Sequence, residues 1–119
     1  MVAGFPNMFT ITGPGSPGVK TQMILSIEQH MDWIADCLKH LETTGAKRIE
    51  AEPQAELEWV HHVNEVADST LYPLANSWYV GANIPGKPRV FMPYVGGVPA
   101  YKKKCDEVAA AGYQGFRLA

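Results

Sequence analysis

Apolar residues recur at helical spacing in three stretches of the chain. The first stretch has them at every third or fourth position: Met23, Ile27, Met31, Ile34, Leu38 and Leu41. This spacing predicts a long helix from about residue 21 to residue 44, with one apolar stripe. A second stripe begins near Pro53 and ends at Leu71, and a third begins at Pro99 and ends before Gly112. Proline suits the first helical turn, where an N–H would have no partner, so both prolines favour helix starts.

Short β-prone runs lie between the predicted helices, at residues 8–12, 47–51, 89–95 and 113–118. Residues 72–88 have no helical period and predict a long loop, and loops of that length are usually functional or disordered. The β-prone runs have no evident partners, although buried strand backbone needs them. The pattern therefore predicts an α/β fragment that is mostly helical, with two long helices, one shorter helix, a few peripheral strands and a long loop. No internal repeat or domain boundary divides residues 1–119.

The composition and charge of the chain restrict its function. Hydrophobic residues make up 46% of the 119 residues, which is typical of a packed core. A net charge of -2 gives no field that would attract nucleic acid or acidic membranes. No apolar stretch is long enough to span a membrane and no secretory leader is evident, so a cytoplasmic protein is expected. Cys37 and Cys105 are expected to be reduced thiols, although their positions leave a disulfide open.

The sequence does not support a metal site or a cysteine nucleophile. His61 and His62 are adjacent and point to different sides of a helix, whereas His30 and His40 are ten residues apart. No zinc-type spacing such as H-E-x-x-H is present, so the four histidines are predicted to be surface or capping residues. Nothing near either cysteine indicates a lowered thiol pKa.

Two segments come close to a phosphate-binding loop, G-x-x-x-x-G-K-[ST], and both depart from it. In residues 13–21, Val19 stands between Gly18 and Lys20, and two prolines remove amide donors. In residues 81–88, Pro88 occupies the position of the Mg²⁺-binding hydroxyl. Nucleoside triphosphate hydrolysis is therefore not expected. Residues 13–18 predict either an ordinary strand-to-helix connection, which spacing alone favours, or a turn that presents a helix N-terminus to an anion or a polarised carbonyl.

Residues 78–87 combine two adjacent aromatic residues, Trp78 and Tyr79, with a glycine-containing backbone. A mobile loop whose tryptophan closes over a ligand has this composition. A loop that a tryptophan anchors to the core has the same composition. The sequence leaves both interpretations open.

Six segments resemble the C-terminal region of Baeyer–Villiger monooxygenases. They are GFPNMF (residues 4–9), GPGSP (13–17), SIEQH (26–30), SWYVGANIPGK (77–87), FMPYVGG (91–97) and GYQGF (112–116). The resemblance is in register over essentially the whole chain and is strongest to the phenylacetone and steroid monooxygenase type. It implies that residues 1–119 form the C-terminal part of the FAD-binding domain, within an FAD- and NAD(P)-binding two-domain fold.

The resemblance also implies a chemistry and a set of site residues. The family uses FAD, NADPH and O₂ to convert ketones to esters or lactones. Met23 matches a position beside the flavin, and Trp78 matches a mobile-loop tryptophan that contacts NADP. Gly18, Val19, Lys20 and Met92 match the wall of the ketone pocket. Lys20 departs from the small or apolar residues usual in the family and Gly18 replaces a residue with a side chain, so the resemblance leaves the substrate undetermined.

Several parts that the family's reaction needs do not occur in these residues. There is no G-x-G-x-x-G and no F-x-G-x-x-x-H-x-x-x-W-P fingerprint. The family's peroxyflavin-stabilising arginine is also missing, so no catalytic residue is assigned. Alone, the chain is expected to bind FAD and NADP weakly and to lack activity. Two other hypotheses stay open: a stand-alone helical module that binds a protein partner through exposed apolar faces, and a truncated product without function.

Overall fold

The computed structural model describes residues 1–18 and 21–119. Three α-helices carry most of the regular structure: α1 (Met23–Thr44), α2 (Pro53–Asp68) and α3 (Val98–Ala110). Two short strands, β1 (Ile49–Ala51) and β2 (Phe116–Leu118), form a sheet, and single 3₁₀ turns lie at Tyr72–Leu74 and Trp78–Val80. The predicted fold class, mostly helical with two long helices and one shorter helix, is confirmed.

The two strands pair with each other, which the sequence did not predict. β1 and β2 are antiparallel, with Ile49 opposite Leu118 and Ala51 opposite Phe116. The chain around Asn7 covers the other edge of β1, because the Asn7 N–H donates to the Ile49 carbonyl and the Asn7 side chain accepts from the Ile49 N–H, both at 2.9 Å. The expectation that these strand pieces lack partners is therefore wrong.

Two of the β-prone runs do not form strands. Residues 8–12 have no ladder, and Thr12 has a positive φ of 53° that interrupts an extended run. Residues 89–95 contribute an isolated bridge between Tyr94 and Pro17. Their N–H groups donate to three unrelated acceptors: the Asn64 side chain, the Tyr79 carbonyl and the Ser16 carbonyl. A segment whose partners lie on three elements cannot form a regular ladder, so both strand predictions are wrong.

Two hydrophobic clusters form the core. The first joins α1 to the sheet through Cys37, Leu41, Ile49 and Tyr113. The second joins α2 to the long loop through three buried side chains, namely Ala67, Val80 and Phe91. Both cysteines are free, and burial raises the pKa of each thiol, so neither has the lowered pKa of an activated nucleophile.

The face of α1 that the chain buries is not its most apolar face. Buried on α1 are Ser26, His30, Cys37 and Leu41. The outer stripe, which we define as Ile24, Ile27, Met31 and Leu38, is solvent-exposed, with 62% of Ile24, 50% of Met31 and 52% of Leu38 accessible. The apolar stripe predicted from the sequence exists, but within this chain only Leu41 of its six residues is buried. Within residues 1–18 and 21–119, no helix is both long and apolar enough to cross a bilayer.

Candidate functional site

The backbone of Met92 lies between the two segments that the sequence singled out. Its N–H donates to the Tyr79 carbonyl at 2.9 Å, and its carbonyl accepts from the Gly15 N–H at 2.6 Å. We refer to residues 91–94 as the strap, because they connect the Trp78 loop (residues 78–87) to the Gly-Pro loop (residues 13–18). Two residues further along, the Tyr94 N–H donates to the Ser16 carbonyl at 2.9 Å. The structure thus brings three separate parts of the sequence into one site.

The Gly-Pro loop is fixed against α2 by Trp59. The indole N–H of Trp59 donates to the Gly15 carbonyl at 3.1 Å. Gly15 has a φ of +80°, and a Cβ at this position would lie 2.7 Å from the Trp59 Nε1 atom. Both the backbone conformation and this close approach require glycine. The prolines and glycines of the loop therefore serve a tight packing contact rather than a phosphate cradle.

The other end of the Gly-Pro loop is attached to α1. The Ser26 hydroxyl donates to the Pro17 carbonyl at 3.5 Å, and both residues are almost fully buried. The Thr12 N–H, just before the loop, donates to His30 Nδ1 at 3.2 Å. The loop is thus held from α1 and α2 at once, so the N-terminus of α1 has a defined position relative to the strap.

The Trp78 ring is turned towards solvent. It is 61% exposed and packs on the neighbouring Tyr79 ring with their centroids 4.2 Å apart. The turn that presents it begins at Ser77, whose hydroxyl oxygen accepts a hydrogen bond from the Tyr79 N–H, and ends at Gly81, which has a φ of +74°. Tyr79, and not Trp78, contacts the core, because its ring lies beside Phe91. The exposed Trp78 ring therefore does not anchor this loop to the core.

The remaining predicted site residues occupy positions around the strap. Met92 and Gly18 are half-buried, and a Cβ on Gly18 would make an ordinary contact 3.9 Å from the Pro93 side chain. Met23 is the first residue of α1 and is 45% exposed, and within the part of the chain that the structure describes no side chain caps this helix start. Val19 and Lys20 lie outside the described residues. Gly18 therefore leaves room that a larger side chain would fill.

His30 is buried and uncharged, which corrects the prediction of surface or capping histidines. Only 6% of it is accessible, and its ring packs edge-on against Tyr101 at 5.5 Å. Burial and the positive Met1 amino group lower the pKa of His30. Because Nδ1 accepts from Thr12, the neutral ring carries its proton on Nε2, which has no hydrogen-bond partner among residues 1–18 and 21–119.

We expect the free energy of unfolding to fall as the pH is lowered below about 6.5, because His30 binds a proton more readily in the unfolded chain. The lowered pKa means that this stabilisation is complete above the unfolded value of 6.5 and is lost as the pH falls through the folded value. Chemical denaturation between pH 8 and pH 5 measures it. His30→Phe should flatten the slope, whereas His61→Gln, at an exposed position, should preserve it. An unchanged slope in His30→Phe would contradict the assignment.

Two residues of the site were not found by sequence reasoning. Asn64 and Trp59 hold the strap and the Gly-Pro loop, yet each contacts a segment far away in the sequence. Of these residues, Asn64 could most readily have been noticed in the sequence, since it is a polar residue beside the apolar stripe of α2. Within residues 1–18 and 21–119, no three histidine, cysteine or acidic side chains come together as metal ligands.

Comparison with known proteins reveals relatives over the whole chain. The acetone monooxygenase (methyl acetate-forming) of Gordonia sp. (strain TY-5) is 46% identical over 119 residues, which is 99% of this chain and 22% of that protein. A Baeyer–Villiger monooxygenase of Pseudooceanicola batsensis is 41% identical over 95% of this chain and 20% of its own length. This chain is homologous to part of the Baeyer–Villiger monooxygenases. The resemblance noted in the sequence is thereby confirmed.

The structural comparison agrees with the sequence relatives. An oxidised steroid monooxygenase bound to NADP superposes with a TM-score of 0.88 and 44% identity, over 98% of this chain and 21% of that one. The fold of this chain is therefore similar to that of a segment of the steroid monooxygenase. No protein-family model matches the chain. The chain spans about a fifth of the length of the Baeyer–Villiger relatives that it matches.

Proposed function

We propose that this chain is the C-terminal part of the FAD-binding domain of a Baeyer–Villiger monooxygenase, which converts a small ketone to an ester or lactone with FAD, NADPH and O₂. The observation that carries the proposal is homology over 95–99% of the chain at 41–46% identity. The relatives support the substrate class, since they include acetone and cyclohexanone monooxygenases. Cytoplasmic location is part of the proposal and is supported by two free thiols.

Two positions in the chain fit a contact with the cofactors. Met23 begins α1, where backbone N–H groups point away from the helix and no side chain of the described residues caps them. Such a terminus suits a polar carbonyl edge such as that of a flavin. Trp78 offers an exposed aromatic face that suits a nicotinamide nucleotide, and a relative of known structure is bound to NADP. When bound, reduced FAD supplies the oxygen-transfer chemistry and NADPH supplies the electrons.

The strap and the Gly-Pro loop suit the wall of a ketone pocket. We assign Gly18, Val19, Lys20 and Met92 to that wall. Gly18 leaves space near Pro93, and the Met92 peptide is held on both sides. The nearby Tyr94 is buried and burial raises its pKa, so its hydroxyl stays protonated. In the proposed mechanism the residues of this wall orient the ketone and exclude water. Proton transfer is left to groups outside this chain.

The outer stripe of α1 supports a role as one segment of a larger protein. Four large apolar side chains at helical spacing are exposed on one face, and a contiguous apolar surface of this kind marks an interaction site. The chain covers only about a fifth of each relative. We infer that the stripe packs against the body of the monooxygenase. Burial there would remove from water the apolar area that this chain leaves exposed.

A chimeric enzyme tests the proposed function. The aligned segment of the Gordonia acetone monooxygenase is replaced by this chain, and NADPH oxidation and ester formation are measured with acetone and larger ketones. We expect FAD retention and ketone-dependent ester formation. A chimera that retains FAD but forms no ester from any ketone would contradict the proposal. A cooperatively melting monomer of the 119 residues, with a chimera that cannot retain FAD, would favour the stand-alone interaction module instead.

Substitution of Met31 in the outer stripe should destabilise the chimera much more than the 119-residue chain. In the 119-residue chain, Met31→Ser should change the free energy of unfolding by less than about 0.5 kcal/mol, because half of this side chain is already exposed. In the chimera, the same change should destabilise by about 2 kcal/mol, because the stripe becomes buried. Denaturation curves of both proteins measure the difference, and Lys39→Ser, at an exposed polar position of α1, is the control. Equal effects in the two settings would show that the stripe stays exposed.

A further inference from the structure

Asn64 lies in the middle of α2 and reaches the start of the strap. Its Oδ1 accepts a hydrogen bond from the Phe91 N–H at 2.9 Å, and its Nδ2 donates to the Val60 carbonyl at 2.7 Å. Both ends of the carboxamide are engaged, so its orientation is fixed. Asparagine is a poorer helix former than alanine by about 0.7 kcal/mol. Its presence inside α2 is explained by the bond to the strap.

The Phe91 N–H depends on the Asn64 side chain for its hydrogen-bond acceptor. Phe91 is 3% accessible and packs with Ala67 and Val80 in the second core cluster. A buried N–H without an acceptor destabilises a protein, because the group has lost its hydrogen bond to water and gained no other. If Asn64 did not accept, the Phe91 backbone would have to move towards water. The next peptide group, that of Met92, would move with it.

A movement of Met92 would reach both loops. Its N–H is bonded to the Tyr79 carbonyl, next to Trp78, and its carbonyl is bonded to the Gly15 N–H, in the Gly-Pro loop. The bond from Tyr94 to Ser16 ties the far end of the strap to the same loop. The strap is therefore a short connection between the Trp78 loop and the Gly-Pro loop, hydrogen-bonded through three N–H groups and the Met92 carbonyl, and Asn64 fixes its position relative to α2.

We propose that Asn64 is a positioning residue that couples the nicotinamide-nucleotide contact to the wall of the ketone pocket. The proposal rests on the proposed function, because it takes Trp78 as the nucleotide contact and Gly18 and Met92 as pocket residues. Asn64 acts through the Phe91 and Met92 backbone and touches neither ligand in this scheme. Loss of the Asn64 acceptor oxygen weakens nucleotide binding and ketone binding together, since the strap holds both loops.

Amide hydrogen exchange on the 119-residue chain tests the mechanical link. In Asn64→Leu, we expect exchange at Phe91, Met92 and Gly15 to accelerate by about tenfold, the effect of losing one buried hydrogen bond. Asn64→Asp keeps an acceptor for Phe91 and should restore most of the protection, and Glu65→Ala, at an exposed position of α2, should have no effect. Unchanged protection at Met92 and Gly15 in Asn64→Leu would overturn the proposal.

A second variant keeps the test decisive if Asn64→Leu loses its helical circular dichroism. Asn64→Ser keeps a small polar side chain that is too short to reach Phe91, and the same three amides are followed. Gly15→Ala then perturbs the strap from its other end. Faster exchange of the Met92 N–H in Gly15→Ala supports transmission along the strap. Faster exchange of Gly15 alone rules it out.

Binding measurements on the chimera test the coupling itself. We expect Asn64→Leu to raise both the Kd of NADP⁺ and the KM of the ketone by about fivefold or more, with Asn64→Asp recovering most of each. A rise in only one of the two constants contradicts the coupling. If the wild-type chimera has no ketone-dependent activity, the proposed function fails, and with it the ligand assignment. The exchange data still decide whether Asn64 fixes the strap, so the two failures are distinguishable.

Discussion

Replacing Gly15 by alanine should lower the free energy of unfolding by about 2–3 kcal/mol. Of this, about 1–2 kcal/mol comes from a side chain in the left-handed backbone region and about 1 kcal/mol from the weakened Trp59 bond. The Cβ would lie 2.7 Å from the Trp59 Nε1 atom, so the indole must move. Its hydrogen bond to the Gly15 carbonyl would then weaken. Urea denaturation followed by circular dichroism measures the loss.

Gly4 provides a matched control for this substitution. Its φ of +82° is close to the +80° of Gly15, but a Cβ at Gly4 would meet no atom within 4 Å. Gly4→Ala should therefore show the backbone effect alone, about 1–2 kcal/mol. The difference between the two variants isolates the contact with Trp59. Equal losses would mean that the indole moves aside freely and does not fix the Gly-Pro loop.

Truncation of Phe91 to alanine should destabilise the chain by about 3–5 kcal/mol, the usual cost of removing a fully buried aromatic side chain. Phe91 is 3% accessible and fills the second core cluster between Ala67 and Val80. Its ring also lies beside Tyr72 and Tyr79, so the turn that carries Trp78 would lose its support. Thermal and urea denaturation give the magnitude.

Two further variants test whether the loss in Phe91→Ala comes from the missing side-chain volume in the core. Phe91→Leu keeps most of the volume and should cost about 1–2 kcal/mol. Val90→Ala alters the preceding residue, which is 39% exposed, and should change stability by less than about 1 kcal/mol. A loss below about 1 kcal/mol in Phe91→Ala would show that the second cluster is not a packed core.

The helices of this protein could be predicted from the sequence because their signals are local. Apolar spacing and two prolines predicted all three, and α2 begins at Pro53 as expected. The buried face of α1 could not be predicted. Hydrophobicity selects the outer stripe, but within this chain α1 packs through Ser26, His30 and Cys37. An apolar stripe identifies a helix face that needs a packing partner. It does not say whether that partner lies within these 119 residues.

The strap shows why the candidate site was predicted only in part. Residues 89–95 have strand-like composition, yet their hydrogen-bond partners lie 27 residues away on Asn64 and 78 residues away on Ser16. No local pattern encodes such pairs. The resemblance to Baeyer–Villiger monooxygenases supplied Trp78 and Met92 as site residues. It did not supply Asn64 or the contact between Trp59 and Gly15, which emerge from packing.

The separation of the core into two clusters has a consequence for native-state fluctuations. The first cluster joins α1 to the sheet, whereas the second holds α2 with the Trp78 turn and Phe91. Regions with separate cores can open in separate cooperative steps of different free energy. The second cluster has fewer buried side chains, so its amides should exchange through a smaller opening that leaves α1 and the sheet intact. Such partial opening would expose the residues packed beneath the Trp78 turn without unfolding the remainder of the chain.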